Sequence, residues 1–370
     1  MRPLFIPRHQ RDVIIALLVT IAELVSTEHT LAQTTTYTVA ELSAAAAAGQ
    51  APCRLNNLGD LAGRAGNSGS GKTQATTWSH GTLQPKLLGA LPGGDYSSAS
   101  AINDAGAVAG ASNTGNSIVP FIWKPTAGLQ RVPLLPGDKC GQAFGINKYG
   151  HVAGYSSGPD GARAFLWKPK TAVRNLGTLP GGSYSRAREV NDSDEVAGTS
   201  ESPAGDRAVL WTTAGNVRDL GVLPGDTSSE AIAINNASDV VGYSKGPGGL
   251  RAFLWTEATG MQNLGVLPGG NSSRALDIND LGYVVGSSAS SSGDHAFIWT
   301  KQAGMSDLNS AASTALSVVF IEAHAINYTG EILVMGKVTH GSNGGIVLPE
   351  HQDCAPAPPS SFLLIPAASQ

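Results

Sequence analysis

The stretch Ala275–Leu308, ALDINDLGYVVGSSASSSGDHAFIWTKQAGMSDL, decides the fold. Short segments rich in Val, Ile, Phe and Trp alternate in it with Gly, Asn, Asp and Ser, the composition of strands separated by turns. The spacing predicts four strands. The first ends at Ile278-Asn279, and an Asn-Asp-x-Gly turn, suited to tight reversal, returns the chain into VVG. A Gly/Ser loop then leads to AFIW, and a short turn to the last strand.

The stretch recurs along the chain. The six tryptophans, Trp78, Trp123, Trp167, Trp211, Trp255 and Trp299, are spaced by 45, 44, 44, 44 and 44 residues. LPG recurs every 44 residues from Leu91 to Leu267. An aliphatic residue followed by Asn ends the first strand at Asn56, Asn103, Asn147, Asn191, Asn235, Asn279 and Asn327, which counts seven units. Periods of 40–50 residues with four strands per unit are those of bladed propellers, and no 3.6-residue apolar periodicity points to a helical solenoid.

The termini carry the same phase. TYTVAEL from Thr36 reads as a fourth strand, whereas the seventh unit reaches only a third, GIVL, ending at Leu348. The expected fold is an all-β, seven-bladed propeller with four antiparallel strands per blade, its last blade closed by the N-terminal strand. Closure removes exposed sheet edges. Residues 1–32 read as an export signal, with Arg2, Arg8 and Arg11 before an apolar run from Val13 and a small-residue site at Thr30-Leu31-Ala32. Residues 36–349 form the propeller as one domain, and the Pro- and Ala-rich tail, 350–370, is expected to be disordered.

Charged residues are only 14% of the chain, and the net charge of -4 leaves no cationic surplus for a nucleic-acid backbone. No nucleic acid partner and no membrane span after signal cleavage are expected; the chain reads as a secreted or periplasmic monomer. Three cysteines, Cys53, Cys140 and Cys354, are too few for a disulfide scaffold, although Cys53 and Cys354 flank the repeats and could staple the ends.

The recurring pattern L-G-x-L-P-G-G-x-S-x-A-x-x-I-N-x-x-G-x-V-V-G, with HAF at His295–Phe297 and RAF at Arg163 and Arg251, resembles the HAF family of probable extracellular repeats. The resemblance covers roughly residues 36–350. It implies export and a propeller-like fold, and no established activity. Unit one departs from it with ATTW, and unit seven lacks the Trp.

GNSGSGKT, Gly66–Thr73, matches the phosphate-loop pattern G-x-x-x-x-G-K-[ST]. Such a loop needs a buried strand before it and a helix after it, so that backbone N–H groups and the helix dipole face the anion. Alignment with the sister units places it between second and third strands instead. It reads as a decoy, and no nucleotide or other cofactor is expected.

Two sets of residues remain as ligand candidates. Four residues before each Trp stand Arg163, Arg207, Arg251 and His295 in neighbouring units, an arc whose guanidinium forks suit carboxylates or sulfates. The competing structural reading lays each Arg flat on the next blade, bonding loop carbonyls. The second set, near the channel mouth, is Ser98, Gln142, Arg186, Glu230 and Arg274, where charge varies while the surroundings repeat. The repeated asparagines read as turn caps. Asp192 and Asp194 show no calcium-loop array, the histidines show no metal-ligand spacing, and no catalytic constellation stands out. The reading is a binding or interaction module for an acidic glycan or an envelope partner. The alternative is a polysaccharide lyase or hydrolase on the same face, resting on fold analogy.

Overall fold

The computed structural model describes residues 13–17, 37–41, 51–66, 72–311, 318–338 and 361–366. Among these the protein is all-β apart from one short helix, Leu308–Ala311. Six antiparallel sheets of four strands succeed one another, each joining neighbours in chain order. In unit three the strands are Cys140–Ile146, Val152–Gly158, Gly161–Trp167 and Arg174–Asn175. The seventh sheet begins with Val318–Ile326 and Ile332–Val338 and continues through Ser361–Pro366, Tyr37–Glu41 and Val13–Leu17.

The N-terminal strand Tyr37–Glu41 therefore lies in the sheet of the last unit, as its phase predicts. Two further segments join the same sheet. GIVL at 345–348 lies outside the described residues, and the place beside Ile332–Val338 is taken by Ser361–Pro366, in the tail expected to be disordered. Val13–Leu17, inside the expected export signal, is also a strand of this sheet. The physical reason is common to both: an open strand edge offers unpaired N–H and C=O groups, and a short apolar segment such as FLLIP or VIIAL can pair with it.

Apolar packing runs between units rather than within them. The cluster of Ala153, Leu166, Leu176 and Leu179 from unit three with Val190, Val196, Val209 and Trp211 from unit four is typical. Seven such interfaces occur among the described residues. One joins Ala325 and Leu333 of unit seven to Leu61 and Trp78 of unit one. Tyr37 buries its ring between units six and seven, and burial raises its hydroxyl pKa above the ordinary value.

Each first strand carries a β-bulge, which in units one to six lies opposite the V-x-G glycine, shifting register between Ala143 and Gly145 in unit three and between Ala187 and Glu189 in unit four. Unit seven carries Val334 at that register, but in unit three a Cβ on Gly154 would lie 2.0 Å from the Gln142 carbonyl oxygen.

The repeated polar residues tie unit to unit. Asn103 Nδ2 donates to the Asn147 carbonyl at 2.9 Å, and Asn147 to Asn191 at 3.0 Å. The same bond runs from Asn56 to Asn103, Asn191 to Asn235, Asn235 to Asn279 and Asn279 to Asn327. Asn327 then donates to the Asn56 carbonyl at 3.1 Å, so the circuit returns to its start. Each Oδ1 also accepts backbone N–H groups of its own turn, as Asn191 does from Ser193 and Glu195. Serines act likewise at the opposite end, where Ser185 Oγ accepts from Ala164 N and donates to the Gly177 carbonyl.

Candidate functional site

The inner strands run from the LPG-loop end of the sheets to the Asn end, so residues at one register form levels around a central channel. The two candidate sets meet different fates at the loop end. Arg207 donates to the carbonyls of Thr227 at 2.8 Å, Asp206 at 2.9 Å and Ala204 at 3.0 Å. Arg163 bonds the carbonyls of Ser183 and Ala162. Arg251 pairs with Asp226 at 2.6 Å and donates to the Pro224 carbonyl. His295 Nδ1 meets Asp307 Oδ2 at 2.7 Å, with Ser292 Oγ 3.1 Å from Nε2. All four brace a strand to a loop of their own fold. The His295–Asp307 pair repeats a register already used in unit four, where Arg207 Nε lies 4.0 Å from Asp219.

The second set gathers at the channel mouth. Arg186 is exposed, its guanidinium 5.4 Å from the Tyr155 ring and 5.9 Å from the Tyr184 ring. Among the described residues it meets no carboxylate within ion-pair distance. Beside it a cavity of about 120 Å³ is lined by Asp206, Ser228, Glu230, Tyr243, Lys245 and Arg274. Tyr184 donates its hydroxyl to Asp206. Burial first, then Asp206, raises the Tyr184 pKa; burial first, then Glu230, raises that of Tyr243. Both phenols thus stay protonated as donors. Arg188 approaches Glu230 at 3.8 Å and stacks 5.1 Å from Phe144. Gln142 donates to Ser100 at 3.4 Å, and Ser98 is buried, so units two and three add little charge.

Sequence reasoning missed the tyrosines and Arg188. The signal for Tyr155 and Tyr243 was present, since both directly follow the V-x-G glycine, a register at which the sister units carry Arg64, Ala111, Thr199, Ser287 and Met335. It also missed a level lower in the channel, one residue before each strand-ending aliphatic. There Ala101, Gly145, Ala233 and Ala325 leave room for Arg54, Glu189 and Asp277. Burial and the Asp277 charge raise the Glu189 carboxyl, and burial raises that of Asp277, with Arg54 opposing both. Both carboxyls border a cavity of about 180 Å³ that opens at the Asn end. The two are partly accessible to water in the channel while protein surrounds them.

The remaining motifs are occupied structurally. Gly66 and Thr73 are cross-strand partners, so GNSGSGKT links the strands Leu61–Gly66 and Thr73–Trp78 and no helix follows it. Lys72 pairs with Asp95 at 3.5 Å. Asp194 binds His151 at 2.6 Å, and Asp192 binds Lys148 at 3.1 Å. Cys53 is disulfide-bonded and Cys140 is a free thiol, while Cys354 lies outside the described residues. The indole N–H groups of Trp78 and Trp211 are buried without a hydrogen-bond partner among the described residues. Among the described residues no helix is long and apolar enough to cross a membrane.

No protein-family model matches the sequence, and no curated protein does. Solved structures do. The β-propeller domain of the trilobed protease from Pyrococcus furiosus, described as having an open velcro topology, superposes with a TM-score of 0.50 at 9% identity, over 84% of this chain and 92% of that one. A streptogramin B lyase gives 0.48 at 9% identity, over 84% and 95%. TolB from Acinetobacter baumannii gives 0.47 at 14% identity, over 66% of this chain and 62% of that chain. At such identities likeness speaks for the fold alone, and it is the first of these superpositions that speaks for a β-propeller fold.

Proposed function

We propose that the chain is a closed seven-bladed propeller of the HAF-repeat kind, exported and monomeric, that binds an acidic glycan across the loop-side mouth of its channel. One observation carries the reading. Arg163, Arg207, Arg251 and His295 are spent on internal loops, whereas Arg186 stands exposed against two tyrosine rings with its fork open to solvent. A guanidinium in that setting suits a uronate or sulfate bidentately, and tyrosine faces suit a sugar ring. Arg274 and the phenols of Tyr184 and Tyr243 complete the rim. The circuit of seven asparagines and the seven apolar interfaces support the ring.

The test is a screen of the purified mature chain against acidic and neutral glycans, repeated with Arg186→Ala and Arg274→Ala. Acidic ligands should bind and weaken at least tenfold in each variant; unchanged affinity in both sinks the reading. A second reading, hydrolysis, draws on the chain Ser292–His295–Asp307. The brace explains that chain equally well, so a fluorophosphonate probe should leave Ser292 unlabelled; labelling abolished by Ser292→Ala would favour the enzyme.

A further inference from the structure

Unit seven departs from its sisters at a point the channel-mouth reading does not use. Two residues before the strand-ending aliphatic, the other units carry Cys53, Ser100, Phe144, Arg188, Ile232 and Leu276. Unit seven carries His324. Its Nε2 lies 2.8 Å from Glu322 Oε1 and 2.7 Å from Met335 Sδ. Glu322 and Met335 are cross-strand partners in Val318–Ile326 and Ile332–Val338, so the backbone fixes all three side chains relative to one another.

Hydrogen bonding does not account for this convergence. A single nitrogen carries at most one proton, so Nε2 can answer both the carboxylate and the thioether only by splitting one bond between them. A thioether is also a weak acceptor, and 2.7 Å is short for an N–H to sulfur contact. Two further donor atoms of different softness thus crowd Nε2, and Met335 and Glu322 are nearly closed off from solvent.

We propose that Glu322, His324 and Met335 form a binding site for a singly charged soft metal ion, Cu(I). The donor set selects it. Calcium and magnesium take oxygen ligands, and zinc sites are built from thiolate, imidazole and carboxylate rather than thioether. Imidazole with a thioether suits copper. Charge points the same way: Arg274 lies close enough to Glu322 to interact with its carboxylate, so a monovalent ion meets less repulsion there than a divalent one. In a tetrahedral site with usual bond lengths, N and S stand about 3.5 Å apart. Loading therefore requires the flexible Met335 side chain to withdraw by less than about 1 Å.

The experiment is an anaerobic Cu(I) titration of the full chain against a chromophoric chelator, in a Cys140→Ser background so that the free thiol cannot capture the ion. One equivalent should leave the chelator. His324→Gln and Met335→Leu should each weaken binding about 10- to 100-fold or more, with melting curves unchanged. X-ray absorption of the loaded chain should show a sulfur scatterer that Met335→Leu removes. This last readout holds even if the His324 variant fails to fold. No withdrawal of copper, affinity unchanged in Met335→Leu, a coordination shell of only N and O, or stoichiometric displacement by Zn(II) would each overturn the proposal.

Discussion

The Asn end of the channel and its loop end are built from the same strands, yet they use polar residues in opposite ways. At the Asn end one residue type recurs in all seven units, and each copy joins its own turn to the next unit's backbone. At the loop mouth the equivalent level reads Ser98, Gln142, Arg186, Glu230, Arg274 and Glu322, and Arg186 makes no internal ion pair among the described residues. Repetition at fixed register marks residues that hold units together, and variation marks residues released from that duty. The arc of Arg163, Arg207 and Arg251 shows that charge alone does not identify a site, because its repetition already signals bracing.

The largest break in this comparison comes from the glycine that recurs at one register in units one to six. Gly154→Ala puts a Cβ 2.0 Å from the Gln142 carbonyl, and the bulge leaves neither strand room to retreat. A loss of about 3 kcal/mol or more, or failure to fold, is expected in urea denaturation. Gly248→Ala, which meets nothing within 4 Å, should stay within about 0.5 kcal/mol of the parent.

Asn191→Ala comes next. It strips the acceptor from Ser193 N and Glu195 N and the donor from the Asn235 carbonyl, a cost of about 2–4 kcal/mol. Arg207→Ala and Arg186→Ala then form a mirror pair. The first should lose about 1–2 kcal/mol, through three unanswered carbonyls, and keep glycan affinity. The second should stay within about 0.5 kcal/mol in stability and lose affinity.

The smallest effect concerns the seam between the last unit and the first. Glu331 of unit seven accepts from Asn327 Nδ2 at 2.7 Å and lies beside Gly59 of unit one. Burial raises its carboxyl to about 7, against the lowering effect of Asn327. The folded state therefore holds the proton more tightly than the unfolded chain does. This contribution is complete below the unfolded value near 4.5, declines as pH rises toward about 7, and is flat above that. Denaturation midpoints should show Glu331→Gln losing that part of the decline, while the part due to Glu189 and Asp277, which has the same sign, remains.

Much of the architecture is legible in the sequence because strand burial imposes register: Trp and LPG recur at 44, and Tyr37 lies in phase with the fourth strands. The bracing of Arg163 and Arg207 was also readable, since i and i+2 spacing points them at a neighbouring unit. Contacts made across units were harder to read. The asparagines look like turn caps from within one repeat, and their bonds to the next carbonyl span 44 residues. His324 and Met335 lie 11 residues apart with no ligand-like spacing; only pairing of their strands brings Nε2 to Sδ. FLLIP carried a strand's composition, but nothing local said which edge it would meet.

The proposed ring rests on the bond between units 271 residues apart, and a cross-link tests it most directly. Tyr328 N donates to Asn57 Oδ1 at 2.8 Å across the seam, and Asn57 N donates to Asp104 Oδ1 at the same 2.8 Å across an interior interface. Cysteine pairs at 57 with 328, and at 57 with 104, should therefore oxidise to similar extents, read by peptide mapping of the intact monomer. Formation of the 57–104 bond without the 57–328 bond would contradict the ring and, with it, the binding mouth.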